Sequence, residues 1–347
     1  MVPGLTHARR PRVAVGIVAY NSGADLPGCF AALAAQTYPA LEIRVLDNAS
    51  ADDGVAWLAA HQPHVPLLRN PRNEGFARGH NRLLAADPLG PTDYYMPLNP
   101  DVRLAPDYVA RLLARLEATG AGWGTGKLLL AQSGRSIYSV GHALRRDGYA
   151  FNIGHGLPDA GQFEQAREIF GAPGAAPLVR QSLIEALGGE LFDPTMFLYH
   201  EDVDFDWRAR RRGWRCWYEP LAVATHRGSQ PGGRLRTQAL GNRYLSVLKN
   251  AEPADLLCFN LPLMAAHCAG RLALTPREGW SLVRQLLRHG PAAWAKRRPA
   301  ALPRAALEGW FRWGASQPTG QPTTWRQRWR AFRTLAARAG GAPSGCD

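Results

Sequence analysis

The sequence predicts an α/β protein, in which a mixed, mostly parallel sheet is flanked by helices and followed by a helical C-terminal extension. Four short apolar runs of strand length alternate with segments whose apolar residues recur at helical spacing, the pattern of right-handed crossovers. Those runs are mostly apolar rather than strictly alternating, as strands covered on both faces are. The last third then changes character: of 41 Lys and Arg and 28 Asp and Glu in 347 residues, net +13, the stretch from Ala251 onward holds 14 and 5. That stretch carries +9 and the first 250 residues +4. The expected boundary puts the α/β domain at residues 1–235 and a basic, Trp- and Arg-rich helical region at 236–347.

Residues 13–19 form the first predicted strand and run into Tyr20-Asn21-Ser22-Gly23. Leu26, Phe30 and Leu33 then recur at helical spacing up to Tyr38-Pro39. Residues 43–46 are a second strand leading into Asp47-Asn48-Ala49-Ser50, after which Asp52 or Asp53 opens a helix. Residues 65–68 read as a third strand, followed by Asn70 to Phe76 and a helix ending near Ala86. Residues 94–98 are the fourth, closed by Pro100, which cannot donate to a ladder. Farther on, 122–130 and 137–144 are expected to pair, 151–174 to form a Gly- and Pro-rich loop, and 182–187 a short helix. Residues 214–219 and 221–224 read as two strands, with His226 just beyond.

Four polar turns thus fall at the carboxyl ends of four successive strands, where ligands bind in open α/β sheets. Asn99-Pro100-Asp101 alone is ordinary turn chemistry. As the fourth such turn, it has the oxygen-rich tip that a hard divalent cation holding a diphosphate needs. No Gly-x-Gly-x-x-Gly follows the first strand and no P-loop is present, which disfavours dinucleotide oxidoreductases and P-loop ATPases. Glu201, Asp202, Asp204 and Asp206 open a helix that ends in arginines, an order that complements the helix dipole. The aromatic approach through Met196 to Tyr199 adds the expectation of a partly buried site. His226, at another strand end, is suited to complete a metal site.

Five scattered cysteines lack metal-site spacing and point to a reducing compartment. No apolar signal segment precedes the first strand, so a cytoplasmic location is expected.

Taken in order, Val18-Ala19-Tyr20-Asn21-Ser22, Asp47-Asn48-Ala49-Ser50, the Asn73 to Asn81 stretch, Leu98-Asn99-Pro100-Asp101, Leu187-Gly188-Gly189-Glu190-Leu191-Phe192-Asp193 and His200-Glu201-Asp202-Val203-Asp204 resemble the family 2 glycosyltransferases, particularly the bacterial rhamnosyltransferase-like branch. The resemblance covers about residues 12–229. It implies a GT-A fold, an inverting glycosyltransferase, a nucleotide-sugar donor (dTDP-L-rhamnose favoured) and a divalent cation, Mg2+ or Mn2+. It also implies that Asp47 contacts the nucleotide with Tyr20 and Asn21 beside it, and that Asn73, Gly75 and Asn81 flank the donor. Asn99 and Asp101 match the metal motif, with Asp101 and His226 as metal ligands. Asp202 matches the catalytic base, with Glu201 as the alternative. Asn99 stands where many members have Asp, and Glu190-Leu191 displaces Phe192-Asp193 relative to the glycines.

The tail interleaves Trp280, Trp294, Trp310, Trp313, Trp325 and Trp329 with basic residues. Two readings fit: helices lying on an anionic membrane surface, at the cytoplasmic face of the inner membrane and serving a glycan or polyprenyl-linked acceptor, or a helical unit packing on the core. Residues 256–273 are interrupted by Asn260, Pro262, His267 and Arg271, which argues against a spanning helix. The competing class is a non-catalytic nucleotide-sugar or polyanion-binding protein. Nucleic acid is not an expected partner, since no nucleic-acid motif is present.

Overall fold

The structure is a computed structural model describing residues 9–86, 92–228 and 233–312. Trp313, Trp325, Trp329 and Cys346 lie outside the described residues.

The chain begins as β1 (Val13–Ala19), α1 (Leu26–Ala34), β2 (Leu41–Asp47), α2 (Gly54–His61), β3 (Leu67–Arg69), α3 (Gly75–Ala85) and β4 (Tyr94–Leu98). Every residue of β1 and β4 is buried. Along β1, Val13, Val15 and Ile17 face a core shared with α1, α2 and α4 (Tyr108–Thr119), while Ala14 and Val18 face one shared with α3. This period of two makes the sheet the middle layer of three. Gly16 permits close packing in that layer: a Cβ there would lie 1.9 Å from the Tyr95 hydroxyl on β4.

The remaining elements are β5 (Val102–Leu104), β6 (Trp123–Leu130), β7 (Ile137–Ser139), β8 (His142–Arg145), β9 (Ala150–Asn152), β10 (Arg167–Ile169), β11 (Leu178–Arg180), α5 (Gln181–Ala186), α6 (Glu201–Arg211) and β12 (Cys216–His226). The main path of the large sheet runs β10-β12-β6-β11-β4-β1-β2-β3, with β5 on β12 and β7 on β6. Its β4-β1-β2-β3 half is parallel, and β6 and β12 also pair in parallel. β11 is antiparallel to both its neighbours.

Several local expectations are corrected. Residues 151–174 are not all loop, because β10 pairs antiparallel with β12 over 167–169. The two strands expected within 214–224 are one, and its register shift between Glu219 and Val223 absorbs the Pro220-Leu221 interruption. His226 is therefore the last residue of a strand. The 137–144 segment divides: β7 stays on β6, and β8 joins β9 in a small separate sheet with β13 (Phe311–Arg312).

The C-terminal helices are α7 (Gly233–Asn250), the short α8 (Pro253–Asp255), which passes through a π turn at Leu256–Asn260 into α9 (Leu261–Leu274), α10 (Pro276–Ala295) and α11 (Arg304–Glu308). α7 packs on α6 and α10 packs on α7. By length and composition, Pro253–Leu274 is long and apolar enough to cross a membrane despite its polar interruptions, and only 11% of its apolar window is buried.

Candidate functional site

Strand register places the polar turns. Ala19 pairs with Asp47 and Asp47 with Arg69, while Leu98 lies opposite Ile17, so Tyr20, Asn48, Asn70 and Asn99 emerge along one sheet edge. β1 has β2 on one side and β4 on the other, and the chain direction of the crossovers reverses there, opening a crevice. A cleft of about 1530 Å3 starts at this edge, lined by Tyr20, Asn21, Asn73, Gly75, Asn99 and Asp101, and continues past Glu201, Asp202 and His226.

Asn48, which the sequence reading did not single out, knits the near wall. It is 1% exposed. Its amide donates to Asn73 Oδ1 at 2.8 Å and to Gly75 O at 3.2 Å, and its Oδ1 accepts from Asn70 Nδ2 at 2.8 Å and from Glu74 N at 2.9 Å. Asn21 Oδ1 accepts from Ala51 N at 2.8 Å, joining the first turn to the second. Gly75 has φ +85°, and a Cβ there would lie 2.3 Å from Phe197 O, so the loop before α3 closes onto the approach to α6 only with glycine.

Two expected donor contacts are placed differently. Asp47 is buried behind the cleft wall: its Oδ1 accepts from Ser50 N at 3.0 Å and its Oδ2 faces Arg69 at 3.8 Å. It shapes the turn that presents Asn48. Asn81 exchanges two hydrogen bonds with the Phe192 backbone, at 2.7 and 3.1 Å, and does not line the cleft. It ties α3 to the loop before α6, because the inward face of α3 meets that loop and not the crevice.

Asp101 and His226 come together through register, since His226 pairs with Val102 on β5. Their Nε2 and Oδ1 atoms are 3.2 Å apart, and Asn99 Nδ2 is 3.4 Å from the same imidazole nitrogen. Burial pushes the Asp101 carboxyl up, but His226 and Arg227 outweigh it and its pKa is lowered. Tyr138 packs edge-on against the His226 ring at 4.4 Å between centroids. Among the described residues no group of three or more His, Cys, Asp and Glu forms a metal cluster. A carboxylate, an imidazole and an amide in an open cleft nevertheless fit a cation whose remaining ligands come from a diphosphate, the way Mg2+ is commonly held.

The four carboxylates opening α6 have different surroundings. Asp204 is fully buried and tied to α7: Lys249 Nζ donates to its Oδ2 at 3.0 Å and Asn250 Nδ2 to its Oδ1 at 2.9 Å. Lys249 also pairs with the buried Asp193. Asp206 is also fully buried, accepting from Trp123 Nε1 at 2.9 Å and Ala172 N at 3.1 Å. Burial raises its pKa to about 6 even though His142, 2.8 Å away through Nδ1, opposes that shift. Glu201 is 5% exposed and its buried Oε2 has no hydrogen-bond partner among the described residues. Burial, reinforced by Asp202, pushes its pKa well above the ordinary carboxylate range, which favours the protonated form.

Asp202 alone turns an ionisable oxygen to the cleft, with its side chain 21% exposed. Its Oδ2 accepts from Gly174 N at 2.9 Å and its Oδ1 from Val203 N at 2.8 Å. His142 Nε2 stands 3.8 Å from Oδ2, so this imidazole bridges Asp202 and Asp206, four residues apart on one face of α6. Burial pushes His142 down, but the two carboxylates outweigh it and its pKa is raised. The sequence carried no local sign of His142, which lies 60 residues upstream in an unremarkable strand.

Tyr199 and His200, just before the acidic turn, have φ +67° and +73°. Two consecutive left-handed non-glycine residues store strain that the surroundings must hold. The Asn242 amide on α7 holds them, donating to Leu198 O at 3.1 Å and Tyr199 O at 2.8 Å, and Gln285 on α10 donates to Asn242 Oδ1 at 2.8 Å.

Comparisons with known proteins agree with this geometry. A family model described as Glycosyl transferase family 2 matches residues 14–188. A Mycobacterium tuberculosis H37Rv protein, N-acetylglucosaminyl-diphospho-decaprenol L-rhamnosyltransferase, is 28% identical over 237 residues, covering 62% of this chain and 76% of its own. The crystal structure of S. aureus TarS 1–349 in complex with UDP aligns with a TM-score of 0.51 at 14% identity, over 81% of this chain and 77% of that one. That of GalNAc-T7 with UDP, GalNAc and Mn2+ aligns at 0.54 and 15% identity, over 68% of this chain and 47% of that one. At such identity these two speak to the fold alone, a GT-A architecture.

Proposed function

The chain belongs to glycosyl transferase family 2 and is a glycosyltransferase, and from that premise we propose that it inverts the anomeric carbon as it transfers a sugar from a nucleotide-sugar donor to a glycan or lipid-linked glycan. The observation that carries this reading is the division of one cleft: an Asp101 and His226 pair at the sheet edge, and a single accessible carboxylate, Asp202, farther in. The mycobacterial relative favours L-rhamnose as the sugar and a polyprenyl diphosphate-linked acceptor, and the resemblance to the rhamnosyltransferase-like branch favours dTDP as its carrier.

In this mechanism the nucleotide lies against the Asn21, Asn48 and Asn73 wall, with the diphosphate toward Asp101. Asp101, His226 and Asn99 would hold Mg2+ or Mn2+, which supplies charge neutralisation to the departing diphosphate. The acceptor hydroxyl approaches from the Asp202 side. Its proton passes to the Asp202 carboxylate as the oxygen bonds to the anomeric carbon and the carbon–oxygen bond to the diphosphate breaks. A positioned base of this kind contributes roughly two to four orders of magnitude. Gly174 N and Val203 N orient the carboxylate. Glu201, buried and with its pKa raised, is less suited to take the proton.

We assign residues 1–235 to the catalytic domain and 236–347 to a helical region acting at the cytoplasmic face of the membrane. The exposed apolar surface of α9 and α10, with Leu257, Leu274, Trp280, Leu287 and Trp294, supports a peripheral attachment. The test is a panel of nucleotide sugars with and without Mg2+ or Mn2+, read by thermal shift and by transfer. A bound donor raises stability by mass action, about 2.7 kcal/mol at a hundredfold excess over Kd. Metal-dependent stabilisation by one donor is expected, dTDP-L-rhamnose first. Stabilisation by none, with no turnover, would sink the reading.

A further inference from the structure

Beyond His142 the cleft continues into a stretch for which the donor has no use. One wall carries Arg145 at the end of β8, Asp147 and Tyr149 in the turn to β9, and Arg243 on α7. The same stretch is lined by Phe259 from the π turn and by Leu263 and Ala266 from α9.

Two guanidinium groups share one carboxylate here. Arg145 Nη2 donates to Asp147 Oδ2 at 2.7 Å, and Arg243 Nη2 lies 2.9 Å from that same oxygen. Arg243 Nε donates to the Asp147 carbonyl at 2.9 Å, and Asp147 Oδ1 is occupied by Tyr149 N at 3.0 Å. Nη2 of Arg243 is within ion-pair distance of Asp147 but outside hydrogen-bond geometry with any acceptor among the described residues. Arg243 is only 9% exposed, so a largely buried cation shares its one carboxylate with Arg145. Both guanidinium groups lie over the Tyr149 ring, at 5.4 and 5.8 Å, and that ring is itself 48% exposed. Arg271 on α9 lines the same stretch. A rigid fork of guanidinium donors matches phosphate oxygens bidentately. In the same stretch, α9 offers an apolar face that continues onto the exposed Leu257 and Leu274.

We propose that this end of the cleft is a diphosphate subsite for the acceptor, in which Arg145 and Arg243 hold the phosphates joining a sugar to a prenyl chain. The sugar then reaches toward Asp202 and the chain lies along α9. This rests on the glycosyltransferase reading and assigns its acceptor a headgroup and the residues that bind it.

The test is direct binding of farnesyl diphosphate, with farnesol as control, to the full chain in EDTA, so that a cation held by Asp101 and His226 cannot contribute. Wild type is expected to prefer farnesyl diphosphate. Arg145→Gln should weaken that binding by about tenfold or more, the loss of a hydrogen bond to a charged group, and leave farnesol binding unchanged. Arg145→Lys and Arg243→Lys, which keep the charge, should fall between, and their melting temperatures check the fold. Equal affinity for the two ligands in wild type, or equal farnesyl diphosphate affinity in wild type and all three variants, overturns the subsite. Weakened dTDP binding in the same variants also overturns it, by assigning the cations to the donor. Turnover of nucleotide sugars is measured separately: its absence would count against the glycosyltransferase reading while the binding result still decides the subsite.

Discussion

Glu201 and Asp202 are neighbours in sequence, yet burial favours the protonated form of one while the other keeps an oxygen in the cleft. The physical consequence is a pair of variants with unequal effects. Asp202→Asn removes the proposed acceptor of the hydroxyl proton and should cut transfer by about two to four orders of magnitude. Glu201→Gln is close to isosteric with the protonated acid, so its loss should be far smaller. Steady-state rates of both folded variants check this, and the reverse order would move the base to Glu201. The two residues could not be separated from their letters alone, because the distinction lies in which way α6 is rotated against the sheet. Asp47 and Asn81 show the same point in the other direction. Both lie in motifs that were legible, and both spend their side chains on backbone groups, Ser50 and Phe192, that hold the neighbouring loops.

At the scale of elements, the strained turn at Tyr199 and His200 is held from outside the sheet, by Asn242 on α7 and through it by Gln285 on α10. The C-terminal helices are therefore structurally part of the active-site wall. Asn242→Leu would remove both hydrogen bonds that the amide donates to the Leu198 and Tyr199 carbonyls, at about 0.5–1.5 kcal/mol each. A lowered melting temperature with a disproportionate fall in kcat is expected. If thermal unfolding and turnover are both unchanged, α7 does not hold the turn. The strands and the helix periods were legible in the sequence because hydrophobic spacing is a local signal. β5, β10 and the departure of β8 to a second sheet were not. Each of these is three or four residues long; β5 and β10 find their partner β12 far along the chain, and β8, though in a hairpin with β9, has its other neighbour in the distant β13.

At the scale of the molecule, the cleft runs from the carboxyl edge of a parallel half-sheet to an apolar, basic pair of helices. The exposed Trp280, Leu287 and Trp294 lie on the same helix as the exposed Arg277, Arg284 and Arg288, a surface suited to anionic lipid. Flotation with anionic vesicles should carry the protein at low salt and release it as salt rises. The double change Arg284→Glu and Arg288→Glu should weaken attachment by about 1 kcal/mol or more per charge. Salt-insensitive or absent flotation would refute the surface reading. The order of the four polar turns and their common edge were determined by the sequence itself, because chain direction in a parallel sheet puts every strand's carboxyl end on one side. What only the tertiary structure decided is which side chains meet: His142 beside Asp202 and Arg243 beside Asp147 in the cleft, and Lys249 on Asp204 in the buried layer behind it. Those partners are 45 to 96 residues apart, and their environment is set by how helices pack on a sheet, which no local pattern of letters encodes.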